Sequence, residues 1–176
     1  MKRIFMTALA AALVGTACST LETSTDYDKG VDFTQYRTFS WHDTGDFKDA
    51  LWAKRIENVL SDTLAAKGLK RVESGGDVWL AAHGRLSKQT QISTYNSGWG
   101  YGYGWYGGMG MSTSTVSEIP VGTLVVDLVD GKKKEMVWRG RATDTLQTNA
   151  SPEDREKKLR DVAAKLFEGY PPQPKK

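Results

Sequence analysis

The run "GTLVVDLVD", residues 122–130, reaches Gly131 and is followed by "KKKEMVWRGRATDTL". Two strand-forming stretches joined by Asp130-Gly131 predict a β-hairpin, because both central residues of a tight hairpin turn need positive φ. A chain with such a hairpin must build a sheet and then cover one of its faces. Two segments have the period to do so. From Lys48 to Lys67, Leu51, Trp52, Ile56, Val59, Leu60 and Leu64 fall on one helical stripe, and Gly68 supplies the stop. Ser151-Pro152-Glu153-Asp154 opens a second helix with an N-cap serine, proline in the first turn and early acids, and its stripe is Leu159, Val162, Ala163, Leu166 and Phe167. Gly169 and "YPPQPKK" end it.

Further strands are expected in "VDFTQYRTFSW" (31–41), from Asp77 to Thr94 and from Thr113 to Val129. The order is strand, helix, three or four strands, helix. This predicts an α+β fold: a mostly antiparallel sheet of four to five strands with two amphipathic helices on one face. No internal repeat is visible, and residues 31–172 read as a single domain.

The amino terminus has a different character. Met1-Lys2-Arg3 carries positive charge, and the apolar run Ile4 to Val14 is short for a permanent membrane span, so residues 1–17 read as a bacterial secretory signal. It ends at Gly15-Thr16-Ala17-Cys18, whose cysteine is the only one in the chain. One reading makes Cys18 the lipidated first residue after cleavage; the other is ordinary cleavage at a small-x-small site, leaving a free thiol, a liability in an oxidising compartment. Lipidation would hold the domain at a membrane, each buried methylene contributing about 0.8 kcal/mol. Ser19 is not the aspartate that retains lipoproteins in the inner membrane, which favours an outer-membrane lipoprotein facing the periplasm of a Gram-negative bacterium. Residues 18–30 read as the lipidated cysteine and a polar tether.

Cleavage before Cys18 removes 17 of the 176 residues and leaves 159, enough for one core. It also removes Lys2 and Arg3, so 22 bases face 21 acids and the net charge falls from +3 to +1. Nucleic acid is not an expected partner. Lys132-Lys133-Lys134 and the basic tail 173–176 read as a solvated turn and a tail, placed to touch anionic lipid.

Between the strand candidates lies a glycine- and aromatic-rich hairpin loop, residues 97–112, containing Trp99, Tyr101, Tyr103, Trp105 and Tyr106. Dense glycine argues for a flexible connector, and clustered Trp and Tyr argue for a contact surface toward sugars, peptides or a membrane interface. Those five aromatics are the candidate binding residues.

Catalytic signals are sparse. His42 and His83 are the only histidines, and no Gly-x-Ser-x-Gly elbow is present. Asp26, Asp28 and Asp32 begin like a calcium loop but lack the closing glutamate, and Met109 with Met111 offers two thioethers in a loop. No metal site, cofactor or catalytic residue is assigned. The expectation is a non-catalytic, membrane-anchored envelope lipoprotein, an interaction or structural module whose partner is an envelope protein or peptidoglycan. The alternative is a periplasmic hydrolase acting on cell wall or lipid through His42 or His83.

Phe33 with Tyr36-Arg37-Thr38-Phe39-Ser40-Trp41, "DVWLAAHGRL", Leu124-Val125-Val126-Asp127 with Val137-Trp138-Arg139-Gly140, and Tyr170-Pro171-Pro172 occur here in order. In these residues, over nearly all of the mature chain, the sequence resembles the bacterial envelope lipoproteins grouped as domain of unknown function 4136 (DUF4136). The resemblance implies a signal peptide, a lipidated cysteine and one α+β domain, and it assigns no catalytic residues.

Overall fold

The computed structural model describes residues 21–172 apart from Thr44, Asp46, Lys48, Thr148 and the segment 97–111. The elements are β1 (Glu22–Tyr27), a 3-10 turn (Phe33–Gln35), β2 (Thr38–Asp43), α1 (Ala50–Ala66), β3 (Lys70–Arg71), β4 (Val78–Asn96), β5 (Ser112–Asp130), β6 (Met136–Thr145) and α2 (Pro152–Leu166). Six strands form one sheet in the order β1-β6-β5-β4-β2-β3.

The α+β class and both helices agree with the sequence. The sheet differs in strand number and direction. β1, β6, β5 and β4 are antiparallel neighbours, whereas β2 runs parallel to both β4 and β3, so the six-stranded sheet is mixed. The cause is α1. Parallel neighbours need a crossover rather than a tight turn, and this 17-residue helix returns the chain to the same end of the sheet. The extra strands are β3, two residues long, and β1, which lies inside the stretch expected to be tether and pairs with β6 from Glu22↔Thr143 to Tyr27↔Trp138. The folded unit thus includes Glu22–Tyr27, which lies before the expected boundary at Val31.

Alternation along the strands sends Val78, Leu80 and Ala82 of β4, Leu124, Val126 and Leu128 of β5, and Trp138 and Ala142 of β6 into one core. There they meet Ile56, Val59, Leu60 and Leu64 of α1 and Leu159, Val162, Ala163 and Leu166 of α2, with Phe167 just beyond it. The Trp138 and Phe167 rings stack at 4.6 Å. β6 carries a bulge: Leu128 faces Trp138 and Val129 faces Met136, leaving Val137 as an extra residue, and Val137 and Trp138 are both buried. At the start of α1, Asp49 accepts hydrogen bonds from the Leu51 and Trp52 amides, and Leu51, expected on the apolar stripe, is exposed. Gly68, the expected stop of α1, takes the left-handed conformation, φ +94°.

Candidate interaction surface

β4 and β5 are each 19 residues long and pair from Val78↔Asp130 to Asn96↔Ser112. Their neighbours stop short: β2 follows β4 only to Ala81, and β6 follows β5 only to Val121. Beyond Lys88↔Pro120 the two strands continue alone as a ribbon, roughly 25 Å long at the usual rise per residue. The side chains of residues 88–94 and 114–118 are exposed. Ile92 and Val116, paired across the strands, are 65% and 63% exposed, and Leu86 is 79% exposed. Lys88 Nζ donates to Glu118 Oε2 at 2.6 Å, and the Thr94 and Ser114 hydroxyls lie 3.5 Å apart.

This arm leads into the glycine and aromatic segment. Trp99, Tyr101, Tyr103, Trp105, Tyr106, Met109 and Met111 lie outside the described residues, as does Cys18.

At the opposite end of the same two strands, carboxylates fix the arm to the core. Asp77 Oδ2 accepts from the Arg37 and Thr38 amides and from Thr38 Oγ1, at 2.8–3.0 Å, while its carbonyl accepts from Gly131 N at 2.8 Å. Asp130 Oδ1 accepts from the Lys132 and Lys133 amides at 2.8 Å, and its Oδ2 accepts from Tyr36 Oη at 2.8 Å. Both carboxyls are held below the usual aspartate range, Asp77 chiefly by the Arg37 amide and Asp130 chiefly by the Lys133 amide. Burial, then Asp130, pushes the Tyr36 hydroxyl well above the ordinary phenol range.

The Asp130-Gly131 signal does mark a hairpin, but its turn is longer than two residues. Lys134 N bonds back to Asp130 O, Asp130 N bonds to Glu135 O, and the positive φ falls on Lys134 (62°), not on Gly131. Gly131 is small for another reason: a Cβ there would overlap the Gly76 carbonyl oxygen.

On the sheet face away from the helices, His83, Arg85, Arg139 and Arg141 are exposed. His42 stacks on Trp79 with ring centroids 4.6 Å apart, and Lys134 Nζ lies 3.2 Å from the centre of the same indole. Arg139 grips the buried Asp127 with two bonds, Nε to Oδ1 at 2.6 Å and Nη2 to Oδ2 at 2.7 Å, and this pairing raises the Arg139 pKa. Among the described residues no carboxylate is hydrogen-bonded to or ion-paired with His42 or His83.

The aspartates that begin like a calcium loop serve the backbone instead: Asp26 accepts from Tyr27 N, Asp28 from Gly30 N, and Asp32 from Thr34. Among the described residues no cluster of His, Cys, Asp and Glu is arranged to hold a metal. Between α1 and α2 lies a groove of about 520 Å³, in which Arg160 pairs with Asp62 and Glu156, and Arg71 with Glu57 beside it. Among the described residues no helix is long and apolar enough to cross a membrane.

Residues 23–172 match the family described as Domain of unknown function (DUF4136), and the chain belongs to it. No curated protein matches the chain. Among solved structures it is similar to a PDZ domain protein from Parabacteroides distasonis, with a TM-score of 0.57 and 16% identity over 88% of this chain. The chain spans about a third (36%) of that protein, and the likeness shows a shared fold alone. A PelC dodecamer from Paraburkholderia phytofirmans (TM-score 0.48, 13% identity, 84% of this chain and 94% of that one) and the lipoprotein GNA1162 from Neisseria meningitidis (0.41, 10%, 75% and 98%) are too distant to carry an argument.

Proposed function

We propose that this chain is a non-catalytic envelope lipoprotein, lipidated at Cys18 and held at the outer membrane, whose domain works as an interaction module. One observation carries the reading: the β4–β5 arm. It extends far beyond its sheet partners, contributes none of its described residues to the apolar core, and leads directly into the segment with Trp99, Tyr101, Tyr103, Trp105 and Tyr106. A rigidly rooted arm with such an end suits presentation of aromatic side chains to an envelope protein or to peptidoglycan. No observation favours the hydrolase reading, since His42 engages an indole and both histidines lie on an exposed sheet face.

The test is crosslinking in intact cells with a photoreactive residue at Trp105. The expected result is a discrete adduct, together with loss of envelope capture in a variant lacking residues 98–110 whose circular dichroism matches the parent. Envelope capture unchanged by that deletion would overturn the role of the arm end. Mass spectrometry of the mature amino terminus tests the anchor: diacylglycerol on Cys18 is expected, and a bare thiol overturns it.

A further inference from the structure

The shaft of the arm has a property independent of whatever its end contacts: among the described residues no strand pairs with either of its outer backbone edges. Leu146 N donates to Pro120 O at 2.8 Å, so the Pro120 carbonyl points to the β6 side of β5. Strand geometry alternates, which sends the N–H and C=O groups of Glu118, Val116 and Ser114 to that same outer edge, beyond the end of β6. Residues directly opposite one another share this orientation in an antiparallel pair. Thr90, Ile92 and Thr94, which face Glu118, Val116 and Ser114, therefore turn their polar groups to the outer edge of β4, beyond the end of β2.

Sheet proteins usually blunt such edges with prolines, bulges or unpaired charges. Between Ser112 and Ile119 there is no proline, and the pairing with β4 is unbroken. Each edge carries one charge in this stretch, and the signs differ: Lys88 on β4 and Glu118 on β5. Two β4 edges set together would oppose lysines, and two β5 edges would oppose glutamates. A β5 edge against a β4 edge brings opposite charges together. Ile92 and Val116 share one face of the ribbon, so arms laid side by side in that sense would join these pairs into a continuous apolar band.

We propose that the occupant of these edges is a second copy of this chain: the arm pairs edge to edge, the β5 edge of one copy antiparallel to the β4 edge of the next, with arms pointing the same way. Such a contact is head-to-tail, so it builds a ring or an open array rather than an isolated pair.

The experiment is sedimentation velocity of the full-length protein in detergent over a range of concentrations, with circular dichroism as the control for folding. The parent should self-associate. Ser114→Pro removes one outward N–H while leaving the inner ladder intact, because proline is tolerated where the N–H faces solvent on an edge strand, and it should weaken association. Lys88→Glu and Glu118→Lys each make the edges alike in charge, and each should weaken association about fivefold or more, the scale of a cross-strand charge pair turned repulsive. The double exchange K88E/E118K restores opposite edges and should restore association. A parent that stays monomeric throughout overturns the proposal, and so does an assembly that these variants leave unchanged.

Discussion

The hydroxyl of Tyr36 donates to Asp130 Oδ2 at 2.8 Å across 94 residues of sequence, tying the entry to β2 to the turn between β5 and β6. Both residues are buried, and the other oxygen of Asp130 is already engaged by two amides. This places a charge-assisted hydrogen bond at the root of the arm, where β4 and β5 leave the loops that organise them.

Tyr36→Phe removes the donor and keeps the ring, which makes edge-on contact with Phe33 at 6.0 Å. The buried carboxylate oxygen then loses its partner, which costs about 1–3 kcal/mol. Urea unfolding should show a lower midpoint with an unchanged slope. An unchanged midpoint would mean that the bond contributes nothing net.

Stability should also depend on pH through the same loops. The folded-state pKa values of Asp77 and Asp130 are depressed, so their contribution is complete above the unfolded value of about 3.9 and is lost as pH falls below it toward the folded values. Thermal midpoints should hold through neutral pH and fall below about pH 4. Asp77→Asn combined with Asp130→Asn should flatten that acid limb, and a limb of unchanged steepness would assign acid sensitivity to other carboxylates. On the alkaline side the sign reverses. Burial pushes the Tyr170 hydroxyl up to about 12, so its contribution is present below about pH 10 and lost as pH rises from there toward 12.

Gly131 tests the geometry of the turn. Its φ is not positive, so an alanine meets no conformational penalty there, but its Cβ would press on the rigid Gly76 carbonyl. Gly131→Ala should cost about 1–3 kcal/mol, as overpacking does, whereas Gly169→Ala, with nothing within 4 Å of the added carbon, should stay within about 0.5 kcal/mol. Equal effects in chemical denaturation would remove the argument for close approach.

Where physics is local, the sequence was readable. Ser151 caps α2 through Asp154 N at 3.1 Å, Pro152 stands in its first turn, and the stripes of both helices are buried from Ile56 and from Leu159 onward. The two long strands of the arm lie within two residues of the expected spans at each end. Nonlocal pairing was not readable. β1, "ETSTDY", is a polar edge strand that owes its conformation to β6, more than a hundred residues later, and β3 is defined by two residues beside β2. The continuous apolar run Met136-Val137-Trp138 breaks alternation because of the bulge, a signal present in the sequence but ambiguous without the partner strand. At the candidate surface, the glycine and aromatic segment was evident from composition, whereas the Tyr36, Asp77 and Asp130 network depends on loops brought together by the crossover through α1.

The arm itself supplies the last prediction. Every described residue of the apolar core lies outside the stretch from Leu86 to Pro120, and the sheet contacts of β4 and β5 with β2 and β6 end before the ribbon begins. Replacing residues 88–120 by an Asn-Gly turn between Ser87 and Val121 should therefore leave a folded monomer, since that dipeptide favours the tight turn that two adjacent antiparallel strands require. Its stability should fall within about 0.5 kcal/mol of the monomeric parent, the range of surface changes that touch no buried group. Denaturation and sedimentation together check the outcome. A shortened chain that cannot fold would place structural weight on the ribbon and remove the basis for treating it as an appendage dedicated to contacts.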